Sequence, residues 1–223
     1  MERSNPQLPA KALGLIALAV GAIIGQSFPM NAQAALIIIS APPSVLPGAI
    51  QSQVNASIFY ESTKTLLAPL PVDIIAPGTY NLADPDNPGA IAAGTKVNSY
   101  FLHHESVANQ LSTVIVAGSF PNPILGVIIN DAYLDASDPI LGNPGTLYPT
   151  GLDYRGLELP YASLADVLFW SGNQVFISVK STTADVLDQV RIITAVPEPS
   201  TFVLAGIGGL GLLLCGARRR YGR

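Results

Sequence analysis

Hydrophobic residues occur in two distinct rhythms along the 223 residues. Two uninterrupted apolar runs stand near the ends: Ala12 to Gly25, and Phe202 to Ala217, the latter 16 residues without a charge. Between them, apolar residues fall into short clusters separated by Pro, Gly, Asn and Asp. Gln53 to Glu61 alternates, with Val54, Ala56, Ile58 and Tyr60 on one face and Asn55, Ser57 and Phe59 on the other. That period of two is the signal of a β-strand. Leu36 to Ser40, Val97 to His104, Ser112 to Ala117, Ile124 to Asn130 and Gln189 to Ala195 read as further strands. Val167 to Trp170 and Gln174 to Lys180 flank Ser171-Gly172-Asn173, which predicts a hairpin with Val175, Ile177 and Val179 on one face.

Two stretches predict loops. Pro69 to Gly94 is rich in Pro, Gly and Asp and leaves room for one weak strand at most. Asp131 to Gly156 carries Asp131, Asp135, Asp138, Pro139, Gly142 and Pro144 and also reads as loop. No long amphipathic helix and no internal repeat is visible. The expected fold is therefore all-β, a single β-sandwich of jelly-roll type with long loops. It is flanked by an N-terminal signal peptide and a C-terminal transmembrane helix.

The ends support that division. Arg3 and Lys11 precede the first apolar run, and Ala32-Gln33-Ala34 places small residues where a signal peptidase reads them. Residues 1–34 are therefore expected to be a signal peptide and 35–195 the ectodomain. At the other end, Val196, Pro197, Glu198, Pro199, Ser200 and Thr201 form a short Pro-rich motif. Phe202 to Ala217 would cover about 24 Å as a helix, near the thickness of a hydrocarbon core once flanking arginines snorkel. Arg218, Arg219 and Arg220 then act as a cytoplasmic stop, leaving residues 35–195 outside the inner membrane. The prolines around Glu198 hold the backbone extended and remove amide donors, a form that a protease cleft accepts.

This order of motif, apolar helix and basic cluster over residues 196–223 resembles the PEP-CTERM sorting domain. The resemblance implies recognition by an exosortase, a membrane cysteine protease of Gram-negative bacteria that make exopolysaccharide and biofilm. The middle of the chain also resembles a recurring ectodomain of such proteins. The resemblance rests on Pro123 to Ile128, on Arg155 to Glu158 and on Asp188 to Thr194. It implies no activity.

Charge narrows the partners. The ectodomain has five cations, Lys64, Lys96, Arg155, Lys180 and Arg191, against 13 carboxylates, a net charge of −8 that the whole-chain −4 conceals. Such an acidic domain is a poor partner for nucleic acid. It contains no cysteine, because Cys215 lies in the apolar tail.

Candidate chemistry is sparse. His103 and His104 are adjacent, so on a strand they point to opposite faces and cannot share a metal; one is expected buried and the other exposed. Asp131, Asp135 and Asp138 are hard oxygen ligands on one stretch, which makes calcium the candidate ion, with no other cofactor expected. Glu105 and Glu158 are the obvious carboxylates for glycoside hydrolysis, but Arg155 and Glu158 read more simply as an ion pair or a bond to backbone. Trp170 and Tyr154 are the candidate platforms for stacking against a sugar ring.

No serine-hydrolase elbow is present. The expectation is a secreted, non-enzymatic surface or matrix protein that passes through signal peptidase and exosortase and associates with exopolysaccharide. Two alternatives stand beside it: a carbohydrate-binding module, and a calcium-dependent adhesive or hydrolytic domain.

Overall fold

The computed structural model describes residues 38–81, 83–84, 86–107, 112–159, 166–181 and 187–197. Contacts divide the chain into Met1–Ala34 and Ala35–Arg223, and all described residues belong to the second unit. The predicted signal peptide, the apolar span 202–217 and Arg218 to Arg220 lie outside the described residues. Among the described residues, no helix is long and apolar enough to cross a membrane.

The domain is β-rich. Its strands are β1 (Ile38–Ile39), β2 (Ser57–Thr65), β3 (Leu70–Val72), β4 (Gly78–Tyr80), β5 (Gly89–Ile91), β6 (Lys96–Glu105), β7 (Ser112–Ser119) and β8 (Ile124–Ile128). One helix, α1 (Asp131–Leu141), precedes β9 (Val167–Ser171), β10 (Gln174–Ser181) and β11 (Leu187–Ala195). A five-stranded sheet has the order β1-β2-β6-β11-β8, a four-stranded sheet the order β4-β9-β10-β7, and β3 pairs with β5. Every pairing is antiparallel except β1 with β2.

Side-chain alternation explains how the sheets stack. Ile58, Tyr100, Leu102, Val190 and Ile192 leave one face of the five-stranded sheet. They pack with Val114, Leu168, Trp170, Val175, Ile177 and Val179 of the four-stranded sheet. Phe59, Phe101, Ile128 and Ile193 leave the opposite face and meet Leu134 and Leu141 of α1, with Leu70, Val72 and Ile91 of the β3–β5 pair. The five-stranded sheet is thus covered on both sides. Central β11 is buried from Leu187 to Thr194 without the alternation of a half-exposed strand.

Three expectations change. Asp131 to Leu141 is a helix, where its Asp and Pro content predicts loop. Asn130 caps it by accepting the Ala132 N–H at 3.0 Å, and Leu134, Ser137 and Leu141 bury one stripe. Pro139 lies within this helix, where it has no N–H to give to the Asp135 carbonyl. Pro69 to Gly94 contains three short strands, each of only three residues, too brief for a periodic signal. The β-sandwich acquires an additional covering layer, and its strand order does not by itself spell out a jelly roll.

Candidate functional site: an acidic cleft beside buried carboxylates

The segment after α1 is built by hydrogen bonds to the acidic face of that helix. Asp131 accepts the backbone N–H groups of Tyr154, Arg155 and Gly156 at 3.0, 3.0 and 2.7 Å. Asp135 accepts the Gly151 N–H at 2.7 Å. Gly156 passes so close to Ile129 that a Cβ there would stand 1.7 Å from the Ile129 carbonyl oxygen, so only glycine fits. Beyond the end of β8, Tyr154 and Arg155 pair with the start of β11. The Leu187 N–H donates to the Tyr154 carbonyl at 3.2 Å and the Gln189 N–H to the Arg155 carbonyl at 2.9 Å. Two segments far apart in sequence, Arg155 to Glu158 and Asp188 to Thr194, are thereby brought together.

Arg155 is fully buried and turns toward α1. Its guanidinium donates to Asp135 at 2.5 Å, to Asp138 at 2.8 and 3.1 Å, and to Gln189 at 2.6 Å. The expected pairing with Glu158 is not made among these bonds, because the side chain points to the helix face. Arg191 shares Asp138 at 2.8 Å and also binds Glu61. The oxygens of Asp131, Asp135 and Asp138, the candidate calcium ligands, are thus engaged by backbone amides and two buried guanidinium groups. Asp135 and Asp138 therefore have cationic partners within the fold, and Asp131 has backbone donors.

The histidines differ from expectation in burial. They do face opposite sides, but both are 1 % exposed, because both faces of β6 are covered. His103 donates from Nε2 to the Ile50 carbonyl (3.1 Å) and meets Gln189 at Nδ1 (2.9 Å). His104 lies against the Asn55 carbonyl (3.2 Å) and Ser112 Oγ (2.9 Å). Burial holds the His103 imidazole down to about 4 and lowers His104 as well. Glu105 accepts the Gly48 N–H on both oxygens, at 2.8 and 2.9 Å, and a Gln51 amide hydrogen at 3.1 Å.

The two aromatic candidates do not share a surface. Trp170 is 3 % exposed in the inter-sheet core, so its ring faces are already covered. Tyr154 is 54 % exposed, held at φ +61°, and lines a cleft of about 510 Å³. That cleft is also lined by Asp73, Asp86, Asp131, Asp153 and Glu158. Asp73 anchors its floor by accepting the Ile129 and Asn130 N–H groups at 2.8 and 2.9 Å. Burial nevertheless raises the Asp73 carboxyl above the usual range.

Glu158 connects this cleft to a carboxylate cluster that sequence reasoning misses. One oxygen each from Glu158, Asp166 and Asp188 lies within 4.8 Å of the other two, and all three residues are buried. Asp166 accepts the Lys180 N–H at 2.8 Å and the Glu158 N–H at 2.9 Å. Burial pushes Glu158 up to about 8 and Asp166 to about 6, and it raises Asp188 well above its ordinary value. Neighbouring negative charge adds to the effect on Glu158 and Asp188. Glu158 and Asp188 belong to two of the segments that the sequence singles out, whereas Asp166 carries no such signal.

At the far end of β11 the chain leaves the sheet toward its tail. The Ala195 N–H donates to the Pro123 carbonyl at 2.9 Å and the Val196 N–H to the Lys96 carbonyl at 3.2 Å. Pro197 has no N–H and ends the ladder. Glu198, Pro199 and Ser200 lie outside the described residues.

Domain and tail together define an exported β-rich protein with a sorting signal that begins where its last strand stops. The family model for the PEP-CTERM protein-sorting motif matches residues 195–220, so the chain carries that sorting motif at its C-terminal end. That motif implies export and membrane anchoring before exosortase cleavage. Comparison with curated proteins and with solved structures finds no match.

Proposed function

We propose that this chain is a secreted, non-enzymatic protein of the surface or extracellular matrix of a Gram-negative bacterium, associated with exopolysaccharide. It is exported behind a signal peptide, held transiently in the inner membrane by residues 202–217 and handed to an exosortase. The observation that carries this reading is the sorting motif at residues 195–220, joined without a linker to the end of β11 at Ala195. Engagement of Glu105 by Gly48 and Gln51 supports a structural role for one of the two carboxylates that hydrolysis would need. The test is deletion of residues 196–223 in an exosortase-positive host. The truncated chain is expected to lose normal processing and to change location, and unchanged processing and location would overturn the reading.

A second reading, a carbohydrate-binding module for exopolysaccharide, draws on exposed Tyr154 at the rim of a cleft rich in acceptor oxygens.

A further inference from the structure

We propose that Glu158, Asp166 and Asp188 bind one hard divalent cation, Ca²⁺, at the inner end of the acidic cleft. The first support is spacing. Ca²⁺ takes oxygen ligands at about 2.4 Å, so two ligands of one shell lie at most about 4.8 Å apart. One oxygen from each of the three carboxylates meets that limit.

The second support is a shortage of donors. Among the described residues, both oxygens of Asp188 and Oε2 of Glu158 have no hydrogen-bond donor other than a proton shared with a neighbouring carboxyl of the triad, although Asp188 is 0 % and Glu158 4 % exposed. Buried acceptors are ordinarily paired, and an unpaired buried charge is the costliest exception. The other buried carboxylates follow that rule. Glu61 is met by Arg191, Ser99 and Tyr148, Glu105 by Gly48 and Gln51, and Asp73 by two backbone amides. Asp166 is held by backbone amides, with one N–H on each oxygen, which fixes its carboxylate and leaves each oxygen a further lone pair. Lys180 lowers Asp166 through its charge, yet no ion pair to the triad forms among the described residues.

The donor set selects the class of ion. His104 pairs with Asp188 across β6 and β11 and so shares its face. Both its ring nitrogens are already engaged, by Asn55 and Ser112. What remains is oxygen alone, which suits Ca²⁺ and not Zn²⁺. Glu158 lines the open cleft, whose further carboxylates Asp73, Asp86, Asp131 and Asp153 draw cations toward it. The competing arrangement is a triad that shares protons and holds no ion.

The test uses the full chain, purified in detergent, stripped with EDTA and titrated with CaCl₂ by calorimetry and thermal melting. One Ca²⁺ per chain is expected, with the melting temperature rising by roughly 5–10 °C at a hundredfold excess over Kd. Asp188→Asn and Glu158→Gln should each weaken binding at least tenfold, whereas Asp153→Asn at the cleft rim should change it by about twofold or less. If Asp188→Asn fails to fold by circular dichroism, Glu158→Gln decides alone. Absence of Ca²⁺ heat with an unchanged melting temperature would overturn the proposal in favour of shared protons. Undiminished binding in both variants would overturn it by placing the ion elsewhere. Neither result bears on processing of the tail, so this proposal and the sorting reading fail separately.

Discussion

Arg191 on β11 and Glu61 on β2 meet in two parallel hydrogen bonds, both 2.7 Å, although β6 lies between their strands. A β-bulge makes this reach available. The register between β2 and β6 shifts between Tyr60 and Ser62, leaving Glu61 as the extra residue. Glu61 and Ser62 both turn to the helix face, where Ser62 Oγ donates to the Leu141 carbonyl at 2.6 Å. The Arg191 guanidinium also donates to Ser137 and Asp138 of α1 and lies 4.9 Å from the Phe101 ring centroid. One cation therefore joins the sheet to its only described helix.

Removing that cation leaves Glu61 buried without its charge partner. Arg191→Met is expected to cost about 3–5 kcal/mol, the range for breaking a buried pair from one side. The double variant Arg191→Met with Glu61→Leu should recover much of the loss, because apolar replacements remove both desolvated charges. Urea unfolding of the two variants checks this. Equal loss in both would mean that the pair is not the source of the stability.

What the sequence discloses depends on whether the signal is contiguous. The β9–β10 hairpin is legible because Val175, Ile177 and Val179 alternate beside a Gly172-Asn173 turn. The sorting tail is legible because its three parts follow one another. Helix α1 is obscured by Asp and Pro, yet Asp131, Asp135 and Asp138 fall at i, i+4 and i+7, one helical face. That spacing points equally to a loop of calcium ligands unless Arg155 and Arg191 are known to face it. The Glu158, Asp166 and Asp188 cluster has no local spacing at all. It exists only because Arg155 pairs beside β11, a tertiary fact. Covering of both faces of β6 likewise determines the burial of both histidines and cannot be read from β6 itself.

The burial of His103 has a pH consequence. Desolvation is the largest cause of its lowered value, with His104 and Arg155 adding positive charge and the Ile50 carbonyl opposing them. Its folded value is about 4 against an ordinary 6.5, so between those limits the unfolded chain takes up a proton that the folded chain refuses. The stability it supports is complete above pH 6.5 and declines toward pH 4, by about 3 kcal/mol at most. Glu158 and Asp166 act oppositely: their raised values favour the fold at low pH and lose that contribution as pH rises toward about 8 and 6. The comparison that isolates the histidine is therefore His103→Gln against the parent. The variant should show a flatter decline between pH 6.5 and 4 in urea midpoints measured with EDTA present. Parallel profiles would remove His103 as the cause.

Trp170 and Tyr154 separate packing from recognition. Trp170 packs between the two larger sheets, and among the described residues its Nε1–H has no hydrogen-bond partner, so its side chain is held by apolar contact alone. Trp170→Ala should cost about 3–5 kcal/mol and lower the melting temperature by roughly 10 °C. Any accompanying loss of glycan binding would then report unfolding. Tyr154 lines the cleft with its side chain largely in solvent, and its backbone N–H, not its ring, bonds to Asp131. Tyr154→Ala should therefore hold stability to within about 0.5 kcal/mol. If exopolysaccharide binds by stacking at the cleft, this substitution should weaken retention on a glycan array about tenfold, at unchanged melting temperature. Full retention with Tyr154 removed would take the aromatic platform away from the carbohydrate reading and leave that cleft to cations alone.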